Sequence, residues 1–321
     1  MQGRTVDEYR APLFLAWQLT NRCNARCLAC CEESGPDKGW RDELDRDEAI
    51  RLARDIVSFG IPYVAFGGGE PLGVAHCWEI FDLLAAGGTS LKIETDGSRI
   101  DDAAADRIAG LGVDCVQISV DGATAATHER VRPGSNFDRA VGAIKRLVAR
   151  GRAPQLVFVP TRLNVAEIVP AFGLAEALGC SAFVTGPLMR IGRAAADWQA
   201  LGLSDAEWAR AVTALRERAA RSSHVALSIY PWDIVTEIAT RLESPQAMLL
   251  IVPNGKVKLL NALPFAPADL RRDSLPDAWN AYRAAWRAPE VKRFVERCRD
   301  DPTLLAHANE TWAMGKDSRR T

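Results

Sequence analysis

Residues 45–66 read DRDEAIRLARDIVSFGIPYVAF and contain one complete helix–strand unit. Apolar side chains recur with helical spacing from Ile50 to Val57. Asp45 and Glu48 form a capping box before this stretch, and Gly60 stands where a helix should end. The apolar run YVAF that follows predicts a buried strand. The segment therefore predicts an α-helix that leads directly into a strand.

The same alternation of short apolar runs and amphipathic stretches extends from about Leu13 to Ala220. Six apolar runs predict strands at Phe14–Leu19, Tyr63–Phe66, Leu91–Thr95, Cys115–Val120, Leu156–Pro160 and Ala182–Thr185. Consecutive strand–helix units form a parallel sheet with helices outside it. Because eight units close a full barrel, six predict an α/β fold that is a partial (β/α)6 TIM-like barrel.

Two of the predicted strands carry polar side chains on one face. Lys92 and Glu94 alternate with apolar residues in the third strand, as Gln117 and Ser119 do in the fourth. A strand of a parallel sheet that is covered on both faces should be apolar throughout. These polar faces therefore predict a hollow interior, with ligands binding at the carboxyl ends of the strands.

The pattern changes after about Ser223. Asn254-Gly255 separates two apolar runs, Met248–Pro253 and Lys256–Leu260, which is a strong signal for a β-hairpin. We predict four parts: an N-terminal lead at 1–12, the barrel at 13–222, a small C-terminal α+β cap at 223–314 and a polar tail at 315–321.

Composition and charge exclude several classes of protein. The 321 residues carry a formal charge of −1, so no strong field attracts nucleic acid or a membrane surface. No signal peptide is visible, and no run approaches the ~20 apolar residues of a membrane helix. Four of the eight cysteines lie in the first tenth of the chain, which indicates a metal or redox site and not a disulfide framework. We expect a soluble, cytoplasmic protein.

The cysteine motif Cys23-x-x-x-Cys27-x-x-Cys30 follows the first predicted strand. Three thiolates at this spacing can bind three irons of a cubane cluster and leave the fourth iron open. The alternative is a zinc site that lacks its fourth ligand. Cys31 adjoins Cys30 and cannot easily reach the same cluster, so we interpret it as a bystander.

The segment Gly67-Gly68-Gly69-Glu70-Pro71-Leu72 follows the second predicted strand. Glycines at this point let the backbone approach a ligand closely. Glu70 can accept a hydrogen bond from an ammonium group. The segment has neither the Gly-x-Gly-x-x-Gly pattern with its acidic partner nor the Gly-Lys-Ser/Thr of a P-loop.

Together, the cysteine motif, Gly68–Leu72, Glu94–Gly97, Ser119–Gly122 and Arg130–Phe137 resemble the radical S-adenosylmethionine (SAM) superfamily over roughly residues 13 to 195. The resemblance implies one [4Fe–4S] cluster on Cys23, Cys27 and Cys30, with SAM bound to the open iron. It implies SAM contacts at Gly68, Gly69, Glu70, Pro71, Thr95, Ser119, Asp121, Arg132 and Met189.

The resemblance also implies the chemistry. An external electron donor such as flavodoxin or ferredoxin reduces the cluster, and SAM is split into methionine and a 5′-deoxyadenosyl radical. The chain departs from the family at two positions: Ala29 stands where an aromatic residue is usual, and Asp96 replaces an asparagine. Neither departure removes a cluster ligand.

The C-terminal part resembles a SPASM domain, an extension that carries auxiliary iron–sulfur clusters. The cysteines that such clusters need are absent there, apart from Cys298. We therefore predict a degenerate SPASM-like cap without an auxiliary cluster. Cys298 and Cys77 are interpreted as packed thiols, although Cys77 follows the glycine segment closely.

The predicted function is a radical SAM enzyme of lyase or oxidoreductase type that modifies a polar small molecule in a biosynthetic pathway. A sugar or sugar-nucleoside is the first hypothesis, through decarboxylation, dehydration, oxidation or epimerisation, and a glucuronyl-nucleoside decarboxylase is the most specific form. We expect no peptide-recognition domain before the first strand, which favours a small-molecule substrate. Candidate substrate contacts are Lys92, Glu94, Arg162 and Arg190.

Two alternatives remain open. The first is a peptide-modifying radical SAM enzyme. The second is a non-catalytic iron–sulfur or zinc protein that binds a partner.

Overall fold

The computed structural model describes residues 5–314. The predicted tail at 315–321 and the first four residues lie outside the described range. The strands are β1 (Phe14–Thr20), β2 (Tyr63–Gly68), β3 (Ser90–Thr95), β4 (Cys115–Ser119), β5 (Gln155–Phe158), β6 (Ala182–Thr185), β7 (Ala226–Ile229), β8 (Met248–Ile251), β9 (Lys256–Lys258), β10 (Phe265–Ala266), β11 (Ala268–Asp269) and β12 (Trp312–Ala313).

The helices alternate with these strands through most of the chain. They are α1 (Arg46–Phe59), α2 (Cys77–Ala86), α3 (Asp102–Leu111), α4 (Ala125–Val131), α5 (Phe137–Ala149), α6 (Ile168–Leu178), α7 (Gly192–Ala196), α8 (Trp198–Leu201), α9 (Asp205–Ala219), α10 (Ile234–Glu243), α11 (Leu275–Ala285) and α12 (Pro289–Asp300). Short 3-10 helices lie at Val6–Glu8, Pro71–Gly73, Val165–Glu167 and Pro302–His307. No helix among the described residues is long and apolar enough to span a bilayer.

One ten-stranded sheet forms the framework, in the order β11-β9-β8-β1-β2-β3-β4-β5-β6-β7. Neighbouring strands from β8 through β1 to β7 are parallel. The predicted partial TIM-like barrel of the α/β class is confirmed.

Helix α1 shows why the sequence signals were sufficient. The Asp45 side chain accepts a hydrogen bond from the Glu48 backbone, and Gly60 ends the helix with a φ of 78°. The buried face of the helix, which includes Ala53 and Ile56, packs into the main core. In that core the ring centroids of Phe66 and Phe81 lie 4.6 Å apart.

The sheet extends beyond the six predicted strands. Strand β7 pairs parallel with β6, and β8 pairs parallel with β1 on the opposite flank. The predicted hairpin around Asn254-Gly255 is the antiparallel pair β8–β9. The predicted boundary between residues 222 and 223 therefore falls within a continuous sheet, to which the C-terminal segment adds strands on both flanks.

Candidate active site

A cavity of about 350 Å³ lies where the carboxyl ends of the barrel strands meet the loop after β1. Cys23, Cys27 and Cys30 all line it. We call residues 21–35 the cysteine loop. Of the predicted polar strand faces, Glu94 and Ser119 line this cavity, whereas Lys92 and Gln117 do not.

Contacts from a distant segment hold the cysteine loop in place. The Arg193 Nε donates a hydrogen bond to the carbonyl of Cys27 at 2.7 Å, and its Nη2 donates to the carbonyl of Ser34 at 2.7 Å. The Arg193 backbone N–H donates to the carbonyl of Cys30 at 3.1 Å. Helix α7 thus begins directly against the cysteine loop and fixes two of the three cysteines through their main chain.

Residues 67–72, which we call the glycine segment, begin within β2 and pack against the start of the cysteine loop. Gly69 donates its N–H to the carbonyl of Thr20 at 2.7 Å, and Glu70 donates to the carbonyl of Arg22 at 3.0 Å. A Cβ on Gly69 would overlap the carbonyl of Arg22. Gly68 has a φ of 99°, and a Cβ there would lie 2.6 Å from the carbonyl oxygen of Thr20. Side chains at these positions would push the two segments apart.

Glu70 is buried at the junction of β2 and β3. Its carboxylate accepts hydrogen bonds from the Thr95 hydroxyl at 2.8 Å and from the backbone N–H of Asp96 at 3.1 Å. Burial, together with the neighbouring charge of Asp96, raises the pKa of Glu70 to about 8. A positive charge in the cavity would favour the ionised carboxylate, so the group suits an ammonium ligand.

Asp96, which departs from the expected asparagine, is tied to the cysteine loop. Its side chain accepts a hydrogen bond from the Asn24 side-chain amide at 2.6 Å and another from the backbone N–H of Ser98 at 2.9 Å. Burial opposes ionisation of Asp96, but these donors outweigh it and lower the pKa of Asp96. The carboxylate therefore supports the loop as a hydrogen-bond acceptor.

Asp121 and Arg132 form an ion pair in the wall of the cavity. The Nε of Arg132 donates to Asp121 Oδ2 at 2.6 Å, and Asp121 Oδ1 accepts from the backbone N–H of Val159 at 2.7 Å. The Asp121 backbone N–H donates to Nδ1 of the buried His128 at 3.1 Å. Burial lowers the pKa of His128 to about 4, with Arg132 acting in the same direction. A neutral histidine therefore holds the main chain of Asp121 by accepting this hydrogen bond.

Residues 17–168 match the sequence model of the radical SAM superfamily. This stretch contains the cysteine loop, the glycine segment and the Asp121–Arg132 pair. It is a radical SAM domain.

Curated relatives include a mycofactocin maturase MftC of Mycobacterium ulcerans, which is 36% identical over 204 residues. The match covers 62% of this chain and 54% of that protein. An AdoMet-dependent heme synthase of Methanosarcina barkeri is 32% identical over 187 residues, covering 57% of this chain and 52% of that protein. The chain thus spans about half the length of these relatives.

A solved structure shares the fold over most of the chain. It is Streptococcus suis SuiB bound to the precursor peptide SuiA, with a TM-score of 0.73 and 13% sequence identity. The alignment covers 96% of this chain and 73% of that one. The family match itself ends at Ile168, so the SPASM resemblance of the C-terminal segment stays a prediction.

The cofactors of the radical SAM family are a [4Fe–4S] cluster and SAM, and the site fits both. Within residues 5–314, no three or more His, Cys, Asp or Glu side chains converge as the ligands of a single metal ion would. In a cubane each thiolate binds a different iron, so its ligands lie farther apart. Burial raises the pKa of the Cys23 thiol to about 12, and bound iron would supply the positive charge that favours its thiolate.

The radical SAM domain gathers most of the predicted SAM contacts around the cavity. Gly68, Gly69, Glu70, Thr95, Ser119, Asp121, Arg132 and Met189 all line it. Pro71, which begins the 3-10 helix Pro71–Gly73, does not line the cavity. The assignment of these residues to SAM stays a prediction.

The four predicted substrate contacts separate into two groups. Glu94 lines the cavity. Lys92 lies on the same face of β3, and its Nζ forms an ion pair with Glu94 Oε1 at 2.6 Å. Arg162 donates instead to the carbonyl of Gln199, and the guanidinium of Arg190 lies over the Trp198 ring. Neither Arg162 nor Arg190 lines the cavity, although Arg190 follows the lining residue Met189.

Several residues of the site escaped the sequence analysis. Arg193, Glu32, Thr185 and Tyr230 also line the cavity. Thr185 is the last residue of β6, and its buried hydroxyl has no hydrogen-bond partner among the described residues. Thr185 was findable as the last residue of a predicted strand, whereas Arg193 and Tyr230 follow no local motif.

Cys77 and Cys298, which were interpreted as packed thiols, are both buried. Cys77, Cys180 and Cys298 are buried in the main hydrophobic core. Cys31 lines the cavity next to Cys30, which the bystander interpretation did not anticipate. Burial raises the pKa of Cys31 well above its ordinary value.

Proposed function

We propose that this protein is an enzyme that modifies a peptide by SAM-dependent radical chemistry. The similarity to the mycofactocin maturase, which extends over about half of that protein's length, supports this proposal. The sequence-based hypothesis of a sugar or sugar-nucleoside substrate finds no support among the relatives described above. The peptide alternative therefore replaces it.

The composition of the cavity wall is the observation that carries the proposal. Apolar residues such as Val157, Val184 and Leu188 form a large part of the cavity wall. The cations of the cavity are already engaged, since Arg132 pairs with Asp121 and Arg193 holds the cysteine loop. A substrate rich in phosphate or carboxylate groups would lack partners here, whereas an uncharged amino-acid side chain would fit.

The size of the cavity points the same way. A volume of about 350 Å³ is near the lower end of the range for a single small ligand. SAM takes up much of that space when it is bound. A peptide needs to insert one side chain, whereas a tetrapyrrole or a complete sugar-nucleoside needs a second full pocket.

An open strand edge offers a path for an extended chain. Strand β7 is the last strand of the sheet, and it leads to Tyr230 at the cavity. Ala226 and Tyr230 donate their N–H groups toward β6. By the alternation of a strand, Leu227 and Ile229 direct theirs away from β6, where an extended peptide could pair with them.

The residues have separable tasks in this proposal. The three cysteines hold the cluster, and Gly68, Gly69 and Glu70 bind the amino group of SAM. When bound, the cluster supplies the electron that splits SAM into methionine and a 5′-deoxyadenosyl radical, which removes a hydrogen atom from the substrate. The apolar wall excludes water and so protects the radical from side reactions.

The test is anaerobic reconstitution with iron and sulfide, followed by SAM, dithionite and short peptides encoded by genes beside this one. Peptides deuterated at one residue type should transfer deuterium into 5′-deoxyadenosine. Loss of carbon dioxide from the peptide would identify a lyase, and loss of two hydrogens an oxidoreductase.

Matched cysteine variants provide the control. Cys27→Ala should abolish SAM cleavage, whereas Cys180→Ala should retain it, because Cys180 is buried in the core away from the cavity. Deuterium transfer from a glucuronyl nucleoside, with none from any peptide, would overturn the peptide assignment. Zinc in place of iron, with no SAM cleavage, would establish the non-catalytic alternative.

A further inference from the structure

The cysteine loop contains a strained backbone position. Glu33 has a φ of 54°, and no other non-glycine residue within 5–314 has a positive φ. In this left-handed region the Cβ crowds the following carbonyl oxygen, so residues other than glycine adopt it at a cost. Such a residue keeps its conformation only where neighbouring contacts hold it.

The turn at Glu33 closes the cysteine loop. After it, the chain returns to the start of the loop, where the carbonyl of Gly35 accepts a hydrogen bond from the backbone N–H of Cys23 at 3.0 Å. Glu33 is also only three residues after Cys30. The conformation of Glu33 therefore links the position of Cys30 to that of Cys23.

A side chain from the C-terminal segment contacts this turn on both sides of Glu32. The side-chain nitrogen of Asn309 donates to the carbonyl of Cys31 at 2.9 Å and to the Glu33 carboxylate at 2.8 Å. Glu33 and Asn309 are 276 positions apart in the chain. Because both partners only accept hydrogen bonds, they use the two hydrogens of the amide and fix its orientation.

Asn309 and the Cys31 carbonyl are both held by their surroundings. Ala308, the residue before Asn309, is buried, and its carbonyl accepts a hydrogen bond from the buried Lys258. At the start of α7, a Cβ on Gly192 would overlap the carbonyl oxygen of Cys31. The Cys31 carbonyl is therefore in close contact with α7 as well as with the C-terminal segment.

We propose that Asn309 is a positioning residue for the iron–sulfur cluster, because it holds Glu33 in its left-handed conformation and so fixes Cys23 relative to Cys30. Thiolates that bind different irons of one cubane must keep a set separation. The C-terminal segment is thus part of the cluster site, although none of residues 302–314 lines the cavity. The inference rests on the assignment of the three cysteines to the cluster and applies to any substrate.

The test measures iron retention in the reconstituted holoenzyme. Asn309→Ala removes both hydrogen bonds, so bathophenanthroline disulfonate should extract iron at least about tenfold faster than from the wild type. The decay of the cluster's visible absorption gives the rate. Asn280→Ala, at an exposed position on α11, is the control and should behave as the wild type.

A second substitution separates positioning of the loop from general support of the fold. Glycine adopts a positive φ at little cost, so Asn309→Ala/Glu33→Gly should return the extraction rate to within about threefold of the wild type. The EPR spectrum of the reduced cluster should change in Asn309→Ala and recover in the double variant. A residue that only supports the fold would lower the Tm in both variants, without this recovery.

Two results would overturn the inference. A wild-type extraction rate in Asn309→Ala would show that the amide does not hold the loop. Equal acceleration in the single and double variants would show that Asn309 does not act through the conformation of Glu33.

If Asn309→Ala does not fold, Glu33→Val decides, because a β-branched side chain opposes a positive φ while Asn309 keeps its bond to Cys31. Glu33→Val must then lose iron faster than the wild type, and an unchanged rate would overturn the inference. The readout needs no substrate. A protein that shows these rates but modifies no peptide would contradict the proposed function alone, whereas a wild type that takes up no iron would overturn both.

Discussion

The guanidinium of Arg193 donates to the carbonyl oxygen of Cys27 at 2.7 Å, although the two residues are 166 positions apart in the chain. Together with its bond to the carbonyl of Ser34, this contact ties the start of α7 to the cysteine loop. A hydrogen bond from a charged donor contributes about 1.5–3 kcal/mol. The cluster site is therefore stabilised from outside the matched family region.

The first prediction concerns retention of iron. Arg193→Gln removes the forked donor, so the cysteine loop should open more often and a chelator should extract iron at least about tenfold faster. The decay of the cluster's visible absorption measures this rate. Arg216→Gln, at an exposed position on α9, is the control and should match the wild type. Equal extraction rates for both variants would show that Arg193 does not hold the loop.

The second prediction concerns the contact between the glycine segment and the cysteine loop. Gly69→Ala should separate the two segments, because the added Cβ would overlap the carbonyl of Arg22. We expect reconstituted iron to fall well below four atoms per chain, with a lower Tm. Gly110→Ala is the matched control, since nothing lies within 4 Å of a Cβ there. In α3 that change should stabilise the protein by up to about 1 kcal/mol. Equal iron content in the two variants would contradict the prediction.

The third prediction is a pH dependence of stability. Burial lowers the pKa of His128 from its ordinary 6.5 to about 4, so between these values the unfolded chain binds the extra proton. The neutral imidazole therefore contributes at most about 3 kcal/mol to the free energy of unfolding. This contribution is complete above pH 6.5 and is lost as the pH falls toward 4.

Chemical denaturation of the wild type and His128→Gln across pH 4–7 measures this contribution. The difference between their free energies of unfolding should shrink as the pH falls. In the wild type the imidazole Nδ1 accepts a hydrogen bond from the Asp121 N–H. The side-chain oxygen of glutamine can accept the same bond. His224→Gln, at an exposed position, should follow the wild-type curve. Parallel curves for the wild type and the His128 variant would contradict the pKa argument.

The strands of the fold were predictable because their signals are local. Six apolar runs bounded by turn residues became β1 to β6, and α1 has the predicted ends because its capping residues are adjacent to it in sequence. Strand β7 was missed because Ser228 interrupts its short apolar run, and its four residues alternate between exposed and half-buried. The side chains of this edge strand are little buried, so its sequence lacks the apolar pattern by which a buried strand is recognised.

The residues of the candidate site were likewise predictable only where the sequence signal is local. The cysteines and the glycine segment are contiguous motifs, so the sequence revealed them directly. Arg193 and Tyr230 reach the cavity only through the packing of distant segments. Arg190 follows a strand, as a ligand residue of a barrel should, but its guanidinium lies over Trp198. Position after a strand predicts nearness to the site and does not fix the direction of a side chain.

The last prediction concerns the charges of Lys258 and Glu32, which act on each other without a direct ion pair among the described residues. Lys258 on β9 is buried and donates a hydrogen bond to the carbonyl of Ala308. Burial lowers its pKa to about 8, while the charge of Glu32 acts in the opposite direction. Burial likewise raises the pKa of Glu32, and Lys258 opposes that shift. Each charge therefore offsets the burial of the other.

Lys258→Met should cost about 3 kcal/mol in the free energy of unfolding, since it leaves Glu32 without its counter-charge. Glu32→Gln in the same chain should recover a substantial part of that loss, because the remaining groups are then neutral. Denaturant unfolding of the single and double variants gives the coupling energy. Lys256→Met is the matched control on the same strand, where the less buried ammonium contacts the Thr311 hydroxyl, and it should cost less than about 1 kcal/mol. Additive effects of the two substitutions would mean that Lys258 is held by the Ala308 carbonyl alone, and that the C-terminal segment and the cysteine loop are not coupled through charge.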